Sequence, residues 1–189
     1  VAELSLDKLR LQFETNVLGQ VALSQAVIPH MVRQGGGVIA NIGSVSGITA
    51  TPYAGAYCAS KAALNSLSDA MRMELAPFGI KVISVQPGGI RSRFGETAAE
   101  SVSGRPFSES LYTNADKFLA ERARMSQNSP TSAEDFAAKL VEQLEKSDPP
   151  AVWRYGHGAR QLPLLKQWLP TALLDRILSK KFGLDALKK

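Results

Sequence analysis

Cysteine is almost missing from this chain: Cys58 is the only one in 189 residues. A lone thiol cannot form an intramolecular disulfide, so the fold must rest on its core, and the usage agrees with a reducing compartment. The two histidines, His30 and His157, lie far from Cys58 in sequence and offer it no imidazole partner. Cys58 is therefore read as a small packing residue, and no metal site is expected. Long apolar runs are missing too. Nothing approaches the ~18 uncharged apolar residues that a membrane-spanning helix needs, and the first residues lack the pattern of a secretory signal. The expected location is the cytoplasm. The net charge of +5 comes with no nucleic-acid motif, so no nucleic-acid partner is expected. Part of it gathers in the tail, at Arg176, Lys180, Lys181, Lys188 and Lys189, as a solvated basic end or an attraction for anionic headgroups and phosphorylated compounds.

A further absence concerns order. The chain enters a helix almost at once, with Ser5 or Asp7 as its cap and Leu9, Phe13, Val17 and Val21 at helical spacing. No strand with a glycine-rich turn comes ahead of it, the element that grips a dinucleotide pyrophosphate. Gly35-Gly36-Gly37 follows a helix and precedes a strand, the reverse of that order, and reads as a helix C-terminus and turn. Pro29 should kink the helix before it, because proline removes a backbone donor.

What is present alternates between strand and helix. Val38 to Ile42 is a short β-branched run, as in a strand buried on both faces of a parallel sheet. A helix from about Gly55 to Ala76 follows, with Ala63, Leu67, Ala70, Met71 and Leu75 as its apolar positions and Pro77 and Gly79 ending it. Ile80 to Val85 is the next strand, and strand, long helix, strand implies a right-handed parallel crossover. The fold class is α/β. Residues 94–129 turn polar and irregular. A helix capped by Thr131 or Ser132 then buries Phe136, Leu140, Val141 and Leu144, and Ala151 to Gly156 forms a last, short strand.

Chemistry concentrates between Asn41 and Lys61. An apolar strand runs into Gly43-Ser44-Val45-Ser46-Gly47, and the next helix opens with Tyr57 and Lys61, which the i, i+4 spacing sets on one face. An ammonium beside a phenol favours the phenolate, so Lys61 is expected to lower the Tyr57 pKa from about 10. With Ser44 facing the same point, the set suits a general acid for a carbonyl under reduction.

G-S-x-S-G followed by Y-x-A-S-K resembles the catalytic segment of the short-chain dehydrogenase/reductase family. The resemblance implies the C-terminal part of a Rossmann-like doubly wound parallel sheet. Residues 1–160 would form a partial dehydrogenase/reductase domain in which 94–129 act as a substrate lid, and residues 161–189 a C-terminal amphipathic tail helix. It also implies that a whole enzyme of this kind carries about three more βα units ahead of Val1, on the order of 90 residues. Two states of the chain stand as expectations: the larger part of an enzyme, or an inactive remnant or partner-dependent subunit without the dinucleotide-binding turn.

Residue by residue, the resemblance implies a catalytic set of Asn16, Ser44, Tyr57 and Lys61. Asn16 lies in an N-V-x-G setting that holds a water linking the lysine to solvent. Asn16, Tyr57 and Lys61 would also hold the cofactor, together with Pro87, Gly88, Ile90 and Ser92 of a loop whose usual pattern ends in threonine rather than Ser92. The implied cofactor is NADPH, the partner a small-molecule carbonyl substrate, and the assembly a homo-oligomer through the two long helices. The stretches around Glu74–Gly79, Trp153–Ala159 and Leu169–Ser179 resemble fungal 1-acyldihydroxyacetone-phosphate reductases and related ketone reductases of secondary metabolism. That implies a location at the endoplasmic reticulum or lipid droplets. In the tail, Leu173, Leu174, Ile177 and Leu178 lie opposite Asp175, Arg176 and Lys180. This helix fits two settings: docked on its own domain or a partner copy, or lying on a membrane surface with Trp168 and Lys181.

Overall fold

The computed structural model describes residues 1–93, 110–112 and 115–187. Ser5 caps the first helix, its hydroxyl accepting from the Lys8 amide, and α1 runs Leu6–Phe13. The helix then widens into a π-helical segment at Glu14–Leu18 and resumes as α2 over Gly19–Arg33. The irregularity thus sits at Asn16, while α2 continues through Pro29 to Arg33. Gly35, with φ of 85°, and Gly36 turn the chain out of the helix, and the Gly36 amide closes on the Met31 carbonyl.

Strand β1 (Gly37–Ile42) pairs in parallel with β2 (Ile80–Val85), from Gly37 opposite Ile80 to Ile42 opposite Val85. Helix α3 (Gly55–Leu75) is the crossover between them. Its buried residues are Cys58, Ser60, Leu64, Ser68 and Leu75, whereas Leu67 is exposed. Ser68 meets Asn41 of β1 and Ser60 meets Asn16 of the π-helical segment. Their hydroxyls are satisfied, Ser68 by donating to the Leu64 carbonyl and accepting from the Asn41 amide on β1. Ile39, Leu75, Ile80 and Val82 form the core between sheet and helices, with Ile28, Met31 and Met71 packed on it.

Helix α4 (Asp116–Arg124) occupies part of the stretch expected to be irregular. Half of the expected lid, 94–109 and 113–114, lies outside the described residues. Helix α5 (Ala133–Leu144) starts at Ser132, whose side chain accepts from the Asp135 amide. Strand β3 is only Val152–Trp153, parallel to β2, giving the order β1-β2-β3.

The tail is two helices, α6 (Gln161–Trp168) and α7 (Thr171–Lys181), with Pro170 at the break. Leu174, Leu178 and Phe182 are buried against Tyr53, Met125 and Leu169, and the Tyr53 hydroxyl donates to the Phe182 carbonyl. Leu173 and Ile177 of the same stripe remain exposed. One edge of the tail is therefore docked on its own chain.

Candidate active site

The glycines around Ser44 explain how a strand end becomes a site. Gly43 and Gly47 lie where a Cβ would run into α3: at Gly47 it would come within 2.7 Å of the Lys61 carbonyl, and at Gly43 it would overlap the Asn65 side chain. Without those carbons the loop settles on the helix flank. Ser44 sits between the glycines in extended backbone, buried, its hydroxyl accepting from the Ser46 amide.

That placement brings Ser44 to Tyr57, and the two side chains are hydrogen-bonded. Lys61 follows one turn later, its ammonium 5.9 Å from the Tyr57 ring centre and donating to the Ile42 carbonyl at 2.8 Å. Asn16 reaches the same helix from the π-helical segment: its amide donates to the Ser60 hydroxyl at 3.0 Å. Ser60 in turn donates to the Tyr57 carbonyl. The π-helical turn carries the asparagine, a common use of this rare geometry at functional sites.

The electrostatics correct one expectation. The Tyr57 pKa is raised, not lowered, because burial disfavours the phenolate more than its neighbours favour it. The opposing pull comes from the Ser44 hydrogen bond and the Arg122 charge. Lys61 is itself pushed down by burial. At neutral pH Tyr57 is a protonated donor.

The loop after β2 lies beside these groups, since the Val45 amide donates to the Pro87 carbonyl. Gly88 is dictated by close approach: a Cβ there would strike the His157 carbonyl. The Gln127 side chain fastens the rest, donating to the Ile90 carbonyl at 3.0 Å and accepting from the Ser92 amide at 3.1 Å. Ile90 also bridges to Thr131.

Two contributors escaped the sequence reading. Gln127 ties the loop down from a polar stretch without any motif. Arg122 on α4 is buried, donates from Nε to the Thr51 hydroxyl at 2.7 Å, and is hydrogen-bonded to the Cys58 side chain. Burial pulls its pKa down while Cys58 and Tyr57 pull it up. A guanidinium starts from so high a value that it stays charged at neutral pH. No signal in sequence separates Arg122 from the surface arginines around it.

A short-chain arrangement of strand-end serine, helix tyrosine and following lysine is thus assembled in space. Residues 1–102 match the short chain dehydrogenase family. The chain belongs to that family. Among curated relatives of this short-chain dehydrogenase, the uncharacterized oxidoreductase YusZ of Bacillus subtilis is 29% identical over 183 residues, covering 96% of this chain and 65% of the relative. The NADPH-dependent 1-acyldihydroxyacetone phosphate reductase of Saccharomyces cerevisiae is 29% identical over 178 residues, 92% of this chain and 57% of that one. A crystal structure of a short-chain dehydrogenase from Streptomyces avermitilis superposes with a TM-score of 0.67 at 26% identity, over 98% of this chain and 64% of the other. The chain thus spans between 57% and 65% of the length of these three.

The donor set fits a nicotinamide dinucleotide. The Lys61 ammonium has three donors and spends one on Ile42, which leaves capacity for a ribose diol. The Pro87–Ser92 loop stands at the C-terminal end of a parallel strand, where ligands of open α/β sheets sit.

Proposed function

We propose that this short-chain dehydrogenase acts in the NADPH-dependent reduction of a ketone to a secondary alcohol. The supporting observation is the hydrogen-bonded pair of Ser44 and Tyr57 beside the Lys61 ammonium. Tyr57 gives its proton to the carbonyl oxygen, and burial keeps that proton in place until it is needed. Ser44 donates to the same oxygen and orients it. Stabilising the negative charge that gathers on this oxygen is the main electrostatic task of such a site. Lys61 holds the cofactor ribose with Tyr57, and Asn16 supports the route by which the proton is replaced. Pro87, Gly88, Ile90 and Ser92 hold the carboxamide end of the cofactor. Bound NADPH supplies the hydride.

For the substrate we favour a lipid ketone related to acyl-dihydroxyacetone phosphate, on the printed activity of the yeast relative; a secondary-metabolite ketone is the second candidate. We further propose a homo-oligomer through α1, α2 and α3, supported by exposed Leu11, Leu18, Leu23 and Met73. A cytoplasmic protein touching endoplasmic-reticulum or lipid-droplet surfaces through its tail is supported by Trp168, 76% exposed, with Leu173, Ile177 and nearby lysines.

The direct test follows NADPH oxidation with acyl-dihydroxyacetone phosphate and simple ketones. Tyr57→Phe is expected to lower turnover by about 10²–10⁴-fold. Turnover near that of the unaltered chain would overturn the mechanism.

A further inference from the structure

Between Ser44 and Tyr57 the chain crosses a short loop whose side chains at alternate positions are each bonded to a different, much later element. Thr49 donates to the Leu162 carbonyl of α6 at 2.9 Å. Thr51 accepts from Nε of Arg122 on α4 at 2.7 Å. The Tyr53 hydroxyl donates at 3.0 Å to the carbonyl of Phe182, the C-terminal cap of α7. Thr49 and Thr51 are buried, and hydroxyls in that setting need such partners.

Tyr53 is the member of this series that carries backbone strain. Its φ is 65°, in the left-handed region that a bulky side chain seldom enters. A conformation of that kind persists only where the surroundings over-determine it. The ring packs on Leu174, Leu178 and Phe182 of the tail and meets Tyr112 edge-on at 5.8 Å. The helix that follows starts without help of its own, since Ala54 stands at the N-cap of α3 and supplies no side-chain hydrogen bond where a hydroxyl or carboxylate would hold the first turn. The Ala54 amide closes a turn on the Thr51 carbonyl, and the Ala54 carbonyl accepts from the Cys58 amide at 2.9 Å. The first of these bonds spans Tyr53, and the second closes the turn of α3 that carries Tyr57.

We propose that Tyr53 is a positioning residue for Tyr57 and that the tail is its brace. The Phe182 carbonyl and the docked edge of α7 hold Tyr53 in its left-handed conformation, and this fixes where α3 begins. The tail thereby acts on the catalytic turn from 129 positions along the chain. The consequence for turnover rests on the reading of Tyr57 as proton donor; the brace itself does not.

The test follows amide hydrogen exchange in the full chain for the unaltered protein, Tyr53→Phe and Leu178→Ala. Phenylalanine keeps the ring and removes only the hydroxyl, while alanine at 178 loosens the tail without altering Tyr53. Both are expected to speed exchange of the Ala54 and Cys58 amides by about three- to tenfold. The control is the Phe136 amide, which closes the first turn of α5 on the Ser132 carbonyl. That helix has its own cap in Ser132, and the Phe136 rate should stay within about twofold. Unchanged rates at Ala54 and Cys58 overturn the proposal, and so does an equal rise at Phe136, which would mean general loosening. If one variant loses the circular dichroism of the parent, the other gives the answer. Tyr53→Phe should also lower kcat for ketone reduction by about threefold or more; an unchanged kcat beside faster exchange overturns the positioning role. If the chain reduces no ketone, or Tyr57→Phe still does, the proposed function is what fails, and exchange alone decides the brace.

Discussion

At the scale of single residues, the site is a contest between burial and charge centred on Tyr57. Spacing alone suggests that Lys61 lowers its pKa; the folded environment reverses the sign, since burial raises it. The consequence is measurable. Below the ordinary tyrosine value of 10.0, both folded and unfolded chains keep this proton, and the group has no effect on stability. Above it the unfolded chain ionises first, so stability falls as pH climbs through the interval up to the raised native value. Melting temperatures followed from about pH 9 to about pH 11 should therefore drop less steeply for Tyr57→Phe than for the unaltered chain. Tyr53, also raised by burial, accounts for part of the drop that remains. Equal slopes would show that Tyr57 ionises alike in both states.

At the scale of elements, the decisive event is the seating of the Ser44 loop on α3. Ser44 and Tyr57 meet because Gly43 and Gly47 permit a contact that a Cβ would block. The obstacle at Gly47 is helix backbone around Lys61 as well as the Asn65 side chain, so the chain has little to give. Gly47→Ala should cost about 1–3 kcal/mol by overpacking, seen as a lowered denaturant midpoint, and should weaken the Ser44–Tyr57 contact. A variant as stable as the parent would mean that the loop moves freely. The same scale shows where pattern reading succeeds and fails. β1 and β2 were readable because short β-branched runs leave few alternatives. The buried positions of α3 were not, since Ser60 and Ser68 are polar by composition and buried only because their hydroxyls have partners. The π-helical turn at Asn16 carries no sequence mark. An extra residue in a helical turn is favoured only once Ser60 offers the asparagine a partner.

For the whole molecule, the question is which surfaces look outward to other bodies. Among the described residues β1 is an edge strand, and α1, the π-helical segment and α2 expose Leu11, Leu18 and Leu23 in turn. Association through these helices predicts a concentration-dependent dimer or tetramer by sedimentation equilibrium. Leu18→Asp together with Leu23→Asp should shift it toward monomer, and a protein monomeric throughout would dispose of the interface. The tail poses the second case. Leu174 and Leu178 are committed to the chain's own core, so Leu164, Leu165, Trp168, Leu173 and Ile177 are what the tail leaves exposed for a membrane. No helix among the described residues is long and apolar enough to cross one. In flotation with anionic vesicles, the unaltered chain should rise with the lipid, and Trp168→Ser with Ile177→Ser should stay behind. Equal partition of both would remove membrane contact through the tail.

The sequence by itself determined the strand–helix–strand order, the family resemblance and the candidates Asn16, Ser44, Tyr57 and Lys61, because periodicity and short spacings are local properties of the chain. Tertiary structure decided what those residues experience. It brought Arg122 onto the Thr51 hydroxyl from 71 positions along the chain. It also set Gln127 against the loop of Ile90 and Ser92, and divided the tail stripe into a buried edge and an open one. Burial, desolvation and the field of a distant charge depend on what packs around a group. Those neighbours come from parts of the chain whose local pattern gives no sign of where they will lie.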